Sequence, residues 1–137
     1  MQRTLSQEWS IDVPDGFEER KEGNHLVFWK RGCTLLTTIF AYSGEKHRQL
    51  LLANLKGRVE AEKLESIVEI DGEIERYAYL KEEAIMPGHV RLAIHAFTTA
   101  PYGVLQTSFY IDNPDDLREC LVIWKSVQYH GEPEQAS

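Results

Sequence analysis

The alternation of apolar and polar residues predicts that most of this chain forms β-strands. The run WSIDV, residues 9–13, alternates and then stops at a Pro-Asp-Gly turn, which predicts a short first strand. The runs HLVFWK (25–30) and TLLTTIFAY (34–42) are rich in β-branched and aromatic residues, which predicts two further strands. The charged stretch FEERKEGN (17–24) lacks such a pattern, so a solvated loop is predicted there.

The period changes to that of a helix over residues 45–63. Leu51, Leu55 and Val59 recur there at four-residue spacing among charged residues, which predicts an amphipathic helix. Gly57 lies inside this segment and weakens the helix.

Two hairpins are predicted after this helix. Asp71-Gly72 lies between two alternating runs within residues 66–80, and Asp-Gly suits the positive φ angles of a two-residue turn. HVRLAIHAFT (89–98) and GVLQTSFYI (103–111) form a further hairpin around the longer turn APYG.

A second helix is predicted from Pro114 to Lys125. Asn113 is a capping residue, and Pro114 occupies the first turn, where a missing N–H costs nothing. The apolar stripe that follows is formed by Leu117, Cys120, Leu121 and Trp124.

The predicted order β-β-β-α-β-β-β-β-α defines an α+β fold. Because hairpins join antiparallel neighbours, we expect a single antiparallel sheet of six to seven strands flanked by two main helices. At 137 residues, the chain is long enough for one domain with a sizeable core. We expect that domain over residues 1–130 and a disordered tail over residues 131–137.

This order resembles the fold shared by the photosystem II extrinsic protein PsbP, the Ran-binding nuclear import factor Mog and bacterial DcrB-like proteins. The stretches that carry the resemblance are WSIDVPDGF, GEKHRQLLLANLK and SFYIDNPDDLRECLVIWKSV. It covers roughly residues 6 to 130 and includes no catalytic motif. Members of this family bind photosystem components or a small GTPase, or hold effector segments as Eag-type secretion chaperones. The resemblance therefore implies a non-enzymatic binding protein.

The predicted strands also suggest where a partner binds. Residues at even spacing on a strand share one face, so the apolar sets of the last hairpins form a core face. The opposite face is polar but rich in aromatic residues, a composition typical of binding surfaces. Its candidate partner-binding residues are Tyr77, Tyr79, His89, Arg91, His95, Gln106, Ser108 and Tyr110. The alternatives are a solvated sheet face or a face covered by the second helix.

Catalysis and metal binding receive little support from the sequence. His89 and His95 lie about 20 Å apart on a strand, whereas zinc–imidazole bonds are about 2.0 to 2.1 Å long, so the two cannot share one metal ion. No nucleophile, phosphate-loop or cofactor motif is present. A small acid–base enzyme that uses His89 or His95 with a neighbouring Tyr or Glu remains an alternative.

Charge and composition exclude some classes of partner. The formal net charge of −7 argues against nucleic acid and anionic membranes. No signal-peptide or membrane-spanning run appears, and Cys33 and Cys120 fit no metal-binding spacing. We therefore expect a cytoplasmic adaptor or chaperone-like module that binds a protein partner without metal or cofactor. A homodimer without a catalytic role is the third alternative.

Overall fold

The computed structural model describes residues 2–23, 25–41 and 44–131, with the side chain of Ile85 left out. The predicted tail therefore lies outside the described residues, except for Gly131. Tyr42 of the predicted third strand and Asn24 of the predicted loop also lie outside them. The strands are β1 Gln2–Thr4, β2 Trp9–Asp12, β3 Glu18–Glu22, β4 His25–Lys30, β5 Cys33–Ala41, β6 Glu65–Asp71, β7 Ile74–Met86, β8 His89–Ala100, β9 Gly103–Ile111 and β10 Gln128–Tyr129. The helices are α1 Glu45–Glu62 and α2 Leu117–Lys125, the latter preceded by a 3₁₀ turn at Pro114–Asp116.

Seven strands form one antiparallel main sheet in the order β3-β4-β5-β9-β8-β7-β6. Both predicted hairpins form, but their turns are shorter or shifted: Asp71 pairs with Ile74, which leaves Gly72-Glu73 as the turn in place of Asp71-Gly72, and Ala100 pairs with Gly103, which leaves two turn residues in place of the longer APYG. Gly72 adopts a φ of 62°, which a side chain with a Cβ rarely tolerates. The predicted α+β class with an antiparallel sheet of seven strands and two helices is confirmed.

The main core lies between one face of the sheet and α2. Cys120, Ile123 and Trp124 of α2 are fully buried there against apolar residues of the sheet. Trp9 and Ile11 of β2 belong to the same core. We call this side of the main sheet the α2 face.

Helix α1 packs against the opposite side of the main sheet, which we call the α1 face. Leu52, Leu55 and Val59 turn inward and form a second apolar cluster with sheet residues that include Tyr77 and Phe97. The helix begins after Gly44 and ends before Lys63, a capping residue with a left-handed φ of 55°. The sheet is therefore covered by a helix on each face, and the two helices belong to different cores.

Two local predictions were wrong. The segment predicted as a solvated loop at residues 17–24 contains strand β3, which pairs with β4 from Glu18↔Trp29 to Glu22↔His25. All five residues of β3 are exposed, so neither face shows the apolar alternation that identifies a strand in sequence. The first predicted strand also lies outside the main sheet, because β2 pairs with β1 and β10 in a separate three-stranded sheet.

Candidate binding groove

The sheet register brings most of the predicted site residues together on the α1 face. His95 of β8 lies opposite Tyr79 of β7 and Ser108 of β9. One pair further along, Phe97 lies between Tyr77 and Gln106. The predicted alternation of faces therefore holds across these three strands.

Helix α1 covers part of this face, so the face is not an open surface throughout. Tyr77 and Tyr79 are 3% and 5% exposed and belong to the apolar cluster beneath the helix. Ser108 is 5% exposed, although it lies outside that cluster. The covering helix is α1 and not the second helix, which occupies the opposite face.

The remaining candidate residues retain different degrees of access. His95, Gln106 and Tyr110 are half-buried on the α1 face. Arg91 is half-buried and His89 is exposed. Both of these lie toward the β7–β8 turn, beyond the part of the face that α1 covers.

A groove of about 670 Å³ runs between α1 and the exposed part of the α1 face. Its volume is within the range of roughly 300 to 1,000 Å³ that is typical of ligand sites. From the helix it is lined by His47, Leu51, Leu55, Arg58 and Glu62. From the sheet it is lined by Phe40, Tyr79, Lys81, Glu83, His95, Phe97, Val104 and Gln106.

The lining changes from apolar to charged along the groove. Helix α1 begins near the end of β8, where Arg48 contacts Thr99, and ends where Glu62 forms an ion pair of 2.9 Å with Lys81 of β7. Near its first end lie Phe40 and Val104, which are paired across β5 and β9. The groove therefore offers an apolar end and a polar end to one occupant.

A chain of hydrogen bonds fixes His95 at the polar end. Its Nε2 lies 2.6 Å from Oε2 of Glu83, and its Nδ1 lies 3.0 Å from Oγ of Ser108. The amide Nε2 of Gln106 donates to the same Ser108 oxygen at 3.1 Å. A carboxylate only accepts, so the neutral imidazole carries its hydrogen on Nε2 and accepts the Ser108 hydroxyl at Nδ1. Both ring nitrogens are thus engaged.

Two tyrosines enclose the same imidazole. The ring centroids of His95 and Tyr79 are 5.2 Å apart, and those of His95 and Tyr110 are 6.0 Å apart with an edge-on geometry. Partial burial, followed by the negative charge of Glu83, raises the pKa of the Tyr110 phenol. The aromatic contacts and the hydrogen bonds together leave His95 little freedom to reorient.

Arg91 and His89 form a separate polar cluster. The Nε atom of Arg91 donates to Oδ1 of Asp112 at 2.8 Å, and its Nη2 donates to the carbonyl of Tyr110 at 2.8 Å. His89 lies 3.9 Å from the same carboxylate oxygen. Neither Arg91 nor His89 lines the groove.

Several groove residues were not predicted from the sequence. Leu51, Arg58 and Glu62 lie beside the buried stripe of α1, and Leu55 belongs to that stripe and also reaches the groove. The sequence pattern named Leu51 and Leu55 as apolar residues of the helix but did not predict that they line a groove. Phe40 lies on the α1 face of β5 and is 46% exposed, which sequence alone does not reveal.

Neither a metal centre nor a membrane helix is present in the part of the chain that the structure describes. No group of three or more His, Cys, Asp or Glu side chains there could hold a metal ion. No described helix is both long and apolar enough to cross a membrane.

Comparison with known proteins identifies the fold but no family. The sequence matches no protein-family model and no curated protein. A crystal structure from Bacteroides thetaiotaomicron VPI-5482 is similar with a TM-score of 0.68 at 14% identity, over 90% of this chain and 46% of that one. This chain thus spans about half the length of the Bacteroides protein. LpqN, described as involved in cell envelope biogenesis of Mycobacterium tuberculosis, is similar with a TM-score of 0.62 at 13% identity, over 90% of this chain and 83% of LpqN. At these identities the likeness shows the fold alone.

Proposed function

We propose that this chain is a non-enzymatic, cytoplasmic adaptor or chaperone-like module that binds a segment of a partner protein in the groove beside α1. The observation that carries the proposal is that an exposed aromatic side chain, Phe40, and a half-buried apolar one, Leu51, line the apolar end of one preformed groove. Phe40 is nearly half exposed, and Leu51 faces it from the helix. An aromatic side chain buries roughly 150 to 250 Å² in full, so covering Phe40, which is 46% exposed, removes somewhat less than half of that area from water and favours a partner with apolar side chains.

The lining charges suggest the character of that partner. Arg58 and Lys81 are balanced by Glu62 and Glu83, so the polar end carries no strong net charge. An occupant with one polar end and one apolar end satisfies both halves. The proposed partner is a protein, because the acidic chain disfavours nucleic acid.

Fold relationships support this proposal without supplying the partner. The resemblance to the PsbP, Mog and DcrB-like family implies binding rather than catalysis. LpqN shares the fold and is described as involved in cell envelope biogenesis, a description that names no reaction. No partner is carried over from either source.

Acid–base catalysis at His95 is a second candidate, favoured by its 2.6 Å contact with Glu83 inside the groove. A hydroxyl on one ring nitrogen and a carboxylate on the other is the arrangement that activates a serine nucleophile. Ser108 is only 5% exposed and does not line the groove, so a substrate there would not reach its hydroxyl, and binding accounts for the geometry better. His89, the other histidine considered, is exposed beside Asp112 and outside the groove.

Paired substitutions test the binding proposal. Phe40→Glu with Leu51→Glu places two charges at the apolar end of the groove. The matched control is Ile39→Glu with Leu50→Glu, because these adjacent residues are large, apolar and exposed but do not line the groove. We expect the groove variant to lose at least tenfold of the partner recovered from the source cells, as quantified by mass spectrometry, and the control to retain it.

Three outcomes contradict the proposal. Equal loss in both variants indicates a general surface effect, and retention in both places the partner elsewhere. If the purified chain sediments as a dimer and only the groove variant sediments as a monomer, the occupant of the groove is a second copy of this chain. An unchanged midpoint of urea unfolding for both variants shows that the comparison reports binding and not folding.

A further inference from the structure

The two edges of the main sheet are built differently. At one edge, β3 has the sequence EERKE, and all five side chains are exposed and charged with both signs. Mixed charges and lysine on an edge strand prevent another chain from pairing with it. At the other edge, β6 has the sequence ESIVEID and contains neither lysine nor proline. The charged residues of this second edge are all acidic, so it lacks the lysine and the mixed charges of β3.

Strand β6 presents two different faces. Its pairing with β7 places Ser66, Val68 and Ile70 on the α1 face, where Val68 lies opposite the buried Tyr77. Val68 and Ile70 are 52% and 68% exposed, although both are β-branched and apolar. In the described ranges no strand pairs with the outer edge of β6, so its outward backbone groups are available for hydrogen bonding.

The opposite face of β6 is mainly acidic. Glu65, Glu69 and Asp71 point to the α2 face, together with Ile67, which is half-buried against the main core. The carboxylate of Glu69 lies 3.0 Å from Nη1 of Arg76 and 3.5 Å from Nζ of Lys125, and Asp71 lies 3.8 Å from Arg76. Glu65 is exposed. A second copy paired antiparallel on this edge would bring two acidic rows together, which opposes self-association.

We propose that β6 binds an extended segment of another protein by strand addition, and that this segment alternates β-branched apolar residues with basic residues. Backbone hydrogen bonds supply the attachment, and alternate side chains supply the selectivity. Apolar residues of the added strand would lie beside Val68 and Ile70, and basic residues beside the acidic row. This surface lies outside the groove lining, so the inference does not rest on the proposed function.

The direct test uses a synthetic acetylated and amidated peptide, KVKIKVK, added to the purified full chain. We expect saturable binding by calorimetry and slower amide hydrogen exchange across β6. Val68→Lys with Ile70→Lys should weaken binding at least tenfold. The control Val122→Lys changes a residue that is 64% exposed on α2 and should stay within twofold of the original chain.

Two further measurements distinguish strand addition from other modes of peptide binding. The charge-reversed peptide EVEIEVE should bind at least tenfold more weakly, and raising the salt concentration should weaken KVKIKVK because ionic attraction is screened. Phe40→Glu with Leu51→Glu should leave peptide binding unchanged, so failure of the groove proposal and failure of this one are distinguishable. Undetectable binding, equal binding to the β6 variant, or a native dimer that this variant dissociates would overturn the proposal.

Discussion

Arg48 of α1 donates from Nε to the hydroxyl of Thr99 in β8 at 3.0 Å, which ties the helix to the central part of the sheet. Its Nη2 donates to the Thr99 carbonyl at 3.1 Å and to the Glu73 carbonyl at 2.5 Å. The side chain is buried, and its ion pair with Glu45 reaches toward the surface. These contacts set the position of the helical wall of the groove.

Replacement of Arg48 by Ala should therefore lower the free energy of unfolding by about 2 to 3 kcal/mol, because buried acceptors lose a charged donor. Urea unfolding followed by tryptophan fluorescence measures the change. Lys46→Ala, an exposed position on the same turn of α1, is the control and should differ by less than about 0.5 kcal/mol. Equal effects of the two substitutions would show that Arg48 does not anchor the helix.

The hydrogen-bond chain at His95 predicts a defined tautomer. When the imidazole is neutral, its hydrogen should be on Nε2, which faces Glu83, and Nδ1 should accept from Ser108. Long-range ¹H–¹⁵N NMR spectra of the histidine rings distinguish the two tautomers. The Nδ1–H form as the dominant species would contradict the network, whereas the exposed His89 serves as the internal reference.

The ion pair between Lys30 and Glu119 links β4 to α2 with an Nζ–Oε1 distance of 2.8 Å. The hydrogen bond that Lys30 donates to Glu119, with a smaller contribution from the Glu119 charge, raises the pKa of Lys30 above 10.5 in the folded protein. The folded state therefore binds this proton more tightly than the unfolded chain does. The resulting stabilisation is complete below pH 10.5 and is lost as the pH rises through the folded pKa.

Glu119→Gln should accordingly lower the free energy of unfolding by about 0.2 to 1 kcal/mol at neutral pH, because the pair is about one-third exposed. The difference from the original chain should shrink as the pH rises above 10.5. Glu60→Gln, an exposed position near the end of α1, is the control. A difference for Glu119→Gln that persists unchanged at alkaline pH would exclude the charge of Lys30 as its cause.

The parts of the fold that could be predicted are those with strong local signals. The Asp71-Gly72 signal located a hairpin, although only Gly72 lies in the turn and adopts a positive φ, and Asn113 accepts from the Asp115 N–H as a capping residue should. Strand β3 was missed because its stability comes from pairing with β4 and from contacts such as Arg20 over the Trp29 ring at 4.9 Å. Those contacts depend on tertiary structure.

Only the sheet residues of the candidate site could be predicted from the sequence. Alternation placed Tyr79, His95 and Ser108 on one face, and the register confirms that they are neighbours. The period of residues 45–63 showed that α1 has an apolar side but not which face of the sheet it covers. Helix α1 buries Tyr77 and Tyr79, so the predicted sheet face is not accessible there. The accessible surface is the groove beside the helix, to which Phe40 and residues of α1 contribute.

Site-specific photo-cross-linking tests the groove most directly. A benzophenone side chain placed at Phe40 faces the groove, whereas the same group at the adjacent Ile39 points to the opposite face of β5. After irradiation in the source cells, we predict a covalent adduct with one protein partner from position 40 and none from position 39. Adducts of equal yield from both positions, or from position 39 alone, would contradict partner binding in the groove.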